Sequence, residues 1–420
     1  MVYIVFSQRR WVWVWVWVYV VCCGFSFTVV EDGVVLIDDA IKISSTDEDF
    51  ICATLDWWPP EKCDYGKCSW GYASLLNVDL NNSIFFNAVK AFSPLKIRLG
   101  GTLQNKVFYQ TTHNNRKCVP FKKNALEMFG FTKGCLSLRR WDELNLFFAK
   151  SGALVIFGLN ALRGKTIYNN KATGLWHSMN AASLIQYTIE KGYNNIFGWE
   201  LGNELSGDDE IGVEIDVVEY AYDTIALHQL IKDLYMNVTM KTPLVMAPGG
   251  FFNKNWYTQF IDKTVGSLNV ITHHIYNVGA GNDRDVLGRI LNPSALNNES
   301  HVFKELRDAI YFSRNPAVVS WVGEGGGVWK SGRENVTNKF VFGFWYLDQL
   351  GQASIYGTRT YCRQSLIGGN YGLLDTNTFV PNPDYYSALL WHKLMGPGVL
   401  WVEYNGTKMI RAYAHCAKKS

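Results

Sequence analysis

Short apolar runs alternate with longer segments of helical period along most of this chain. Eight runs stand out, at residues 50–55, 96–99, 153–159, 195–201, 244–247, 270–276, 318–323 and 354–358. Between and after them, apolar residues recur at three- and four-residue spacing over 83–91, 140–150, 178–191, 214–236, 255–265, 302–314, 338–351 and 384–395. Runs of strand length that are each followed by a helical segment are the signature of βα units and a parallel sheet. Eight alternations predict an α/β fold, a (β/α)8 TIM barrel over residues 48–397, with its chemistry at the strand ends. No period of 20–50 residues recurs, which excludes a solenoid.

The two ends of the chain have a different texture. Residues 28–47 alternate weakly through Val29, Val30, Val34, Val35, Ile37, Ile41 and Ile43, which predicts strands. Residues 399–404 and 409–414 read as a hairpin around Asn405-Gly406. Together, 28–47 and 398–420 predict a small β-sandwich domain formed by both chain ends. It reads as incomplete, because a few strands cannot bury two sheet faces.

Residues 1–27 read as a signal peptide. Gln8-Arg9-Arg10 supplies the positive flank, Trp11 to Val21 the apolar core, and Cys22-Cys23-Gly24 the small residues near a cleavage site. The strongly apolar part is shorter than the roughly 20 residues that span a bilayer. A secreted, extracellular destination in cell wall or matrix is therefore expected, with a lysosomal or vacuolar membrane as the alternative. Asn81, Asn237, Asn298, Asn335 and Asn405 each begin an Asn-X-Ser/Thr sequon. Of nine cysteines, seven remain once Cys22 and Cys23 are set aside. Cys63 with Cys68, and Cys118 with Cys135, are spaced to close local loops. None shows zinc-ligand spacing joined to histidines, so no metal is expected.

Composition narrows the chemistry. A net charge of +3 offers no polybasic surface for nucleic acid. Aromatic residues reach 15% while charged ones are 18%, which suits either a large aromatic core or a groove for sugar rings. No Gly-X-Ser-X-Gly elbow or phosphate loop argues for an esterase or a kinase.

Two stretches carry the chemistry. Phe197-Gly198-Trp199-Glu200-Leu201-Gly202-Asn203-Glu204 and Trp321-Val322-Gly323-Glu324-Gly325-Gly326-Gly327 each end an apolar run on a carboxylate beside glycine. A carboxylate at the mouth of a buried strand must be solvated by a cleft, paired, or put to use. Two of them about 5 Å apart can cleave a glycosidic bond with retention, one as acid/base and the other as nucleophile. The acid needs a raised pKa, most simply from its negative neighbour. Glu200 lies within the strand and suits a supporting ion pair. Arg98 alternates inward on the second strand and can pair with a barrel carboxylate. Tyr276, ending His273-His274-Ile275-Tyr276, can hydrogen-bond Glu324. His274, like His273, reads more readily as packing or support than as a catalyst.

These residues resemble the heparanase-like group of glycoside hydrolases, family 79. The resemblance rests on Trp199 to Glu204 and Trp321 to Glu324, with Ile97-Arg98-Leu99-Gly100-Gly101-Thr102, His273 to Tyr276 and Gly368-Gly369-Asn370-Tyr371. Pro383-Asp384-Tyr385-Tyr386 and Lys393-Leu394-Met395-Gly396 agree with it, and it covers about residues 30 to 420. It implies a retaining β-glucuronidase acting on glucuronic-acid-containing polysaccharides or proteoglycans, with Glu204 as acid/base and Glu324 as nucleophile. It further implies a subsite of Asn203, Tyr276, Thr102 and Asp56, with Gly369 and Tyr371 binding the substrate carboxylate, and no cofactor. Members of the family continue into further sandwich strands, so Cys416 or Cys362 is expected to have lost its partner with them. The basic linker excised from animal members has no counterpart here, which makes arabinogalactan glucuronate an alternative to sulfated chains. A catalytically silent glycan-binding matrix protein, and a glycosidase for neutral sugars, are the competing readings.

Overall fold

The computed structural model describes residues 2–3, 33–111, 117–207, 211–297 and 300–418. Eight parallel strands close a barrel in chain order: β1 (Ile51–Leu55), β2 (Lys96–Leu99), β3 (Leu154–Leu159), β4 (Ile196–Leu201), β5 (Leu244–Phe251), β6 (Val270–Ile275), β7 (Val319–Gly325) and β8 (Thr360–Arg363). Helices wrap the outside: α1 (Ser83–Lys90), α2 (Leu138–Ser151), α3 (Met179–Glu190), α4 (Val217–Tyr235), α5 (Lys254–Lys263), α6 (Ser300–Tyr311), α7 (Phe342–Ile355) and α8 (Pro383–Leu394). Asn82, Ser137, Asp216 and Asn253 start four of them by accepting hydrogen bonds from backbone N–H groups of the first turn. Among the described residues, no helix is long and apolar enough to cross a membrane.

Seven of the eight predicted strands lie where the apolar runs placed them. The eighth does not. Residues 354–358 are the end of α7 and the turn after it, and β8 begins at Thr360. Its sequence, Thr-Tyr-Cys-Arg, conceals a strand because Arg363 is fully buried against Asp384 at 3.2 Å instead of being apolar.

The chain ends form a three-stranded antiparallel sheet, Val34–Ser45, Met395–Asn405 and Ala414–Ala417. The strand that pairs with Met395–Asn405 is therefore Ala414–Ala417, not the predicted 409–414, and a longer loop replaces the tight Asn405-Gly406 turn. Residues 4–32, which hold most of the expected leader, lie outside the described residues.

Cys63–Cys68 and Cys118–Cys135 are disulfides as their spacing suggested. Cys362 is not orphaned. It joins Cys52, the residue it faces across β8 and β1, and among the described residues Cys416 alone is free.

Inside the barrel, at the start of β2, Lys96 is fully buried and holds the floor. Its ammonium meets Asp47 at 2.8 Å, Asp49 at 2.9 Å and the Thr360 hydroxyl at 2.7 Å, and lies over the rings of Trp321 and Phe197. Asp47 and Asp49 precede β1, so this cation ties the entry of the barrel to β2 and β8. Lys96→Met leaves both carboxylates without it. Urea unfolding is expected to show a loss toward the lower end of the about 3–5 kcal/mol that follows removal of one partner from a buried pair. An unchanged midpoint and slope would refute this role.

Candidate active site

Glu204 sits two residues beyond Gly202, on the turn that ends β4. Its backbone is left-handed, at φ 52°. That conformation is uncommon for a non-glycine residue and must be held by its surroundings. The Glu204 N–H donates to the Gly249 carbonyl at 2.7 Å, and the Asn105 side chain donates to the Asn203 carbonyl at 2.8 Å. The turn is thus pinned from β5 on one side and from the β2 loop on the other.

Glu324 reaches the same place by a different device. Thr272 of β6 pairs with Trp321 and His273 with Val322, but His274 pairs with Glu324, so one extra residue is inserted in β7. A bulge reverses the alternation beyond it. Trp321 faces the barrel interior, packed with Cys52, Ile156 and Met246. Strict alternation from Trp321 would turn Glu324 out toward the helices. The extra residue turns it inward.

The two carboxylates and His274 offer oxygen and nitrogen atoms that all lie within 4.8 Å of one another, and all three residues are buried. Arg98 anchors the group. Its guanidinium meets Glu200 at 2.5 Å, Glu324 at 3.0 Å and the Asn203 side-chain oxygen at 2.9 Å. The Tyr276 hydroxyl donates to the other Glu324 oxygen at 2.6 Å. With both Glu324 oxygens already engaged by protein donors, the cluster is better suited to a reacting sugar than to a cation. His274 Nδ1 lies 3.0 Å from Glu204 Oε1. Burial pushes the His274 imidazole down to about 4, so it is neutral near pH 7.

Two other carboxyls lack a cation of their own. Glu204 is pushed up to about 7 by burial, against the opposing pull of Arg98. The expected cause was a negative neighbour, and desolvation takes its place. Asp56 also rises to about 7, through burial and then the charge of Glu324. It accepts from the Trp57 N–H at 2.6 Å and from the Gln364 amide at 3.0 Å. Gly101, at φ 141°, lies against Asp56, where an added Cβ would come within 2.3 Å of the carboxylate. Only glycine leaves Asp56 its place.

The structure gathers most of the predicted residues at one cleft of about 550 Å³, lined by Asp56, Thr102, Glu204, Tyr276, Glu324 and Tyr371. Asn203 lies buried beneath, with its side-chain nitrogen unpartnered. Gly369 is left-handed and backs the ring of Tyr371. The sequence reading missed Gln364, Phe251, Trp58, Lys62, Asp64, Trp70, Trp329, Lys330 and Ser331, which also line the cleft. Gln364 follows Arg363 at the end of β8 and was detectable by the same strand-end rule, had that strand been placed correctly. Phe251 ends β5, four residues beyond the predicted strand, Trp329 lies in a short strand after β7, and the others sit on loops without periodic signal.

Residues 32–351 match the family model described as glycosyl hydrolase family 79, N-terminal domain. The chain is 55% identical over 399 residues to heparanase-like protein 3 of Arabidopsis thaliana, covering 95% of this chain and 74% of that protein. It is 45% identical over 412 residues to baicalin-β-D-glucuronidase of Scutellaria baicalensis, covering 95% and 77%. Among solved structures, the GH51 arabinofuranosidase of Xanthomonas axonopodis pv. citri superposes with a TM-score of 0.62 at 14% identity, over 90% of this chain and 79% of that one. Likeness at that identity supports the barrel fold.

Burial of Glu204 also has a consequence for stability. Its ordinary value is 4.5, and in the folded chain it holds its proton up to about 7. The stability linked to this group is full below the unfolded value and is lost as pH rises through the folded one. Glu204→Gln has no such loss. Scanning calorimetry is expected to show the Tm of Glu204→Gln rising relative to wild type between pH 4.5 and pH 8. A difference independent of pH would show that the carboxyl is not desolvated.

Proposed function

We propose that this chain, which belongs to glycosyl hydrolase family 79, is a retaining β-glucuronidase acting on glucuronic-acid-containing glycans or glucuronides. That it is a glycosidase follows from the family. The stereochemistry and the sugar are our reading. The observation that carries it is the approach of Glu204 and Glu324 to within 4.8 Å. This spacing suits retention, since inverting sites keep their carboxyls about 6.5–9.5 Å apart to admit a water.

In this mechanism Glu204, protonated near neutral pH, gives its proton to the departing glycosidic oxygen. Glu324, gripped by Arg98 and Tyr276, attacks the anomeric carbon. In the second half, Glu204 takes a proton from water as that water releases the sugar from Glu324. His274 is neutral and can accept from the acid form of Glu204 or donate to its carboxylate, keeping the side chain in place through both halves. Asn203 has a free amide nitrogen for a sugar hydroxyl. The name of the Scutellaria relative supports a glucuronide substrate. So does Tyr371, whose phenol burial and nearby carboxylates hold well above its ordinary value, leaving it a hydrogen-bond donor for an anionic group. Gly369 accompanies it in this role.

A secreted destination is part of the proposal. Asn81, Asn237, Asn335 and Asn405 are all exposed, as glycosylation acceptors must be, and three disulfides accord with an oxidising compartment. Asn298 lies outside the described residues.

Purified protein is expected to hydrolyse an aryl β-glucuronide, with Glu324→Gln slower by about a thousandfold or more. The first-formed sugar should be the β-anomer by proton NMR. Equal turnover of the aryl β-glucoside would overturn the assignment of Tyr371 and Gly369. As the acid must be protonated, kcat/KM should fall as pH rises through about 7. A rate still rising above pH 8 would exclude Glu204 as the acid.

A further inference from the structure

Three loops of the catalytic face are knotted together beside the cleft, and Ser331 is the knot. It lies in the loop after β7, left-handed at φ 67° and only 5% exposed. Its carbonyl accepts from the Asn370 N–H at 2.7 Å, in the loop after β8. Its hydroxyl accepts from the Trp70 indole at 2.8 Å and donates to Asp64 at 2.5 Å, both in the loop after β1. The Cys63–Cys68 disulfide closes the segment that carries Asp64. Lys62 meets the other Asp64 oxygen at 2.8 Å, and Lys67 pairs with Glu334 at 2.6 Å. In the barrel β8 stands between β7 and β1, so their loops meet as a bridge across its end. Trp70 packs beneath that bridge, edge-on to Tyr371 at 6.2 Å.

The position of the bridge relative to the carboxylates gives it a meaning. A sugar whose anomeric carbon lies between Glu204 and Glu324 must send its leaving group toward Glu204, on the side of β4 and β5, where Phe251 lines the cleft. The far side of the ring then faces Asp56 and Gln364, at the ends of β1 and β8, and Tyr371 in the loop after β8. O4 stands across the ring from the anomeric carbon, and beyond it come Asp64, Trp70 and Ser331. The Trp70–Ser331 hydrogen bond of this wall is buried, those of Asp64 are half-buried, and its disulfide leaves the loop few alternative conformations, so a second sugar cannot displace it cheaply.

We propose that this bridge closes the cleft beyond O4, so that the protein acts as an exo-hydrolase, accepting glucuronate only at the non-reducing end of its substrate and releasing one sugar per event. The proposal rests on the glycosidase reading for the direction of the sugar. Its test does not require turnover. Isothermal calorimetry would compare phenyl β-glucuronide with the same compound carrying a hexose on O4, against the full wild-type chain and against Glu324→Gln. The capped compound is expected to bind about 100-fold more weakly, as steric exclusion from a closed subsite requires. In Asp64→Ala/Ser331→Ala, with the wall untied, the ratio should narrow to about tenfold or less. Capped and free compounds bound within about threefold by wild type would overturn the bridge, whatever the rate of hydrolysis. No hydrolysis, with the discrimination intact, would overturn the roles of Glu204 and Glu324 and leave the bridge standing. Failure to bind either compound would overturn both.

Discussion

One guanidinium at the mouth of the barrel serves four carboxyls. Arg98 is buried, and burial alone would favour its neutral form, yet Glu200 and Glu324 hold it firmly charged. Its planar fork reaches Glu200, Glu324 and Asn203 at once, which a point-charge ammonium could not. The carboxyls it touches and those it does not are thereby set apart. Glu204 and Asp56 receive only its field, and burial raises both to about 7 against that pull. In the proposed mechanism a protonated acid stands beside a gripped carboxyl, and the two are kept distinct by the burial of Glu204 and by the contact of Arg98 with Glu324.

What could be read from the residues follows the same physics. Seven strands were visible because their sides face either helices or a packed interior, which forces apolar runs. β8 was hidden because Arg363 is compensated by Asp384, a pairing that no local pattern reveals. Glu204 and Glu324 stood out because a carboxylate after an apolar run, beside glycine, has few structural uses. How Glu324 comes to face inward was not visible. The β7 bulge depends on register against β6, and register is a property of two strands. The source of the raised value of Glu204 was likewise beyond a linear reading, since desolvation is set by everything packed around a group.

The wall of the cleft was the least legible part. Asp64, Trp70 and Ser331 are far apart in the chain and none belongs to a periodic segment. Their arrangement exists only because the loops after β1 and β7 lean over β8. Specificity in a barrel is commonly carried by such loops, while the strands hold the reacting groups still. The Lys96 floor and the Ser331 bridge illustrate that division at opposite ends of the same barrel.

The Cys52–Cys362 bond has a consequence for how the barrel comes to exist. It welds the first strand to the last across 310 residues of chain. During synthesis β1 emerges long before its neighbour β8, and until then one of its edges stays open. The link therefore requires the chain to be made at least as far as Cys362, and in the folded barrel it spans the place where the ring of strands comes full circle. From then on the seam between the two most sequence-distant neighbours cannot part without reduction, and the ring behaves as a hoop instead of a rolled ribbon.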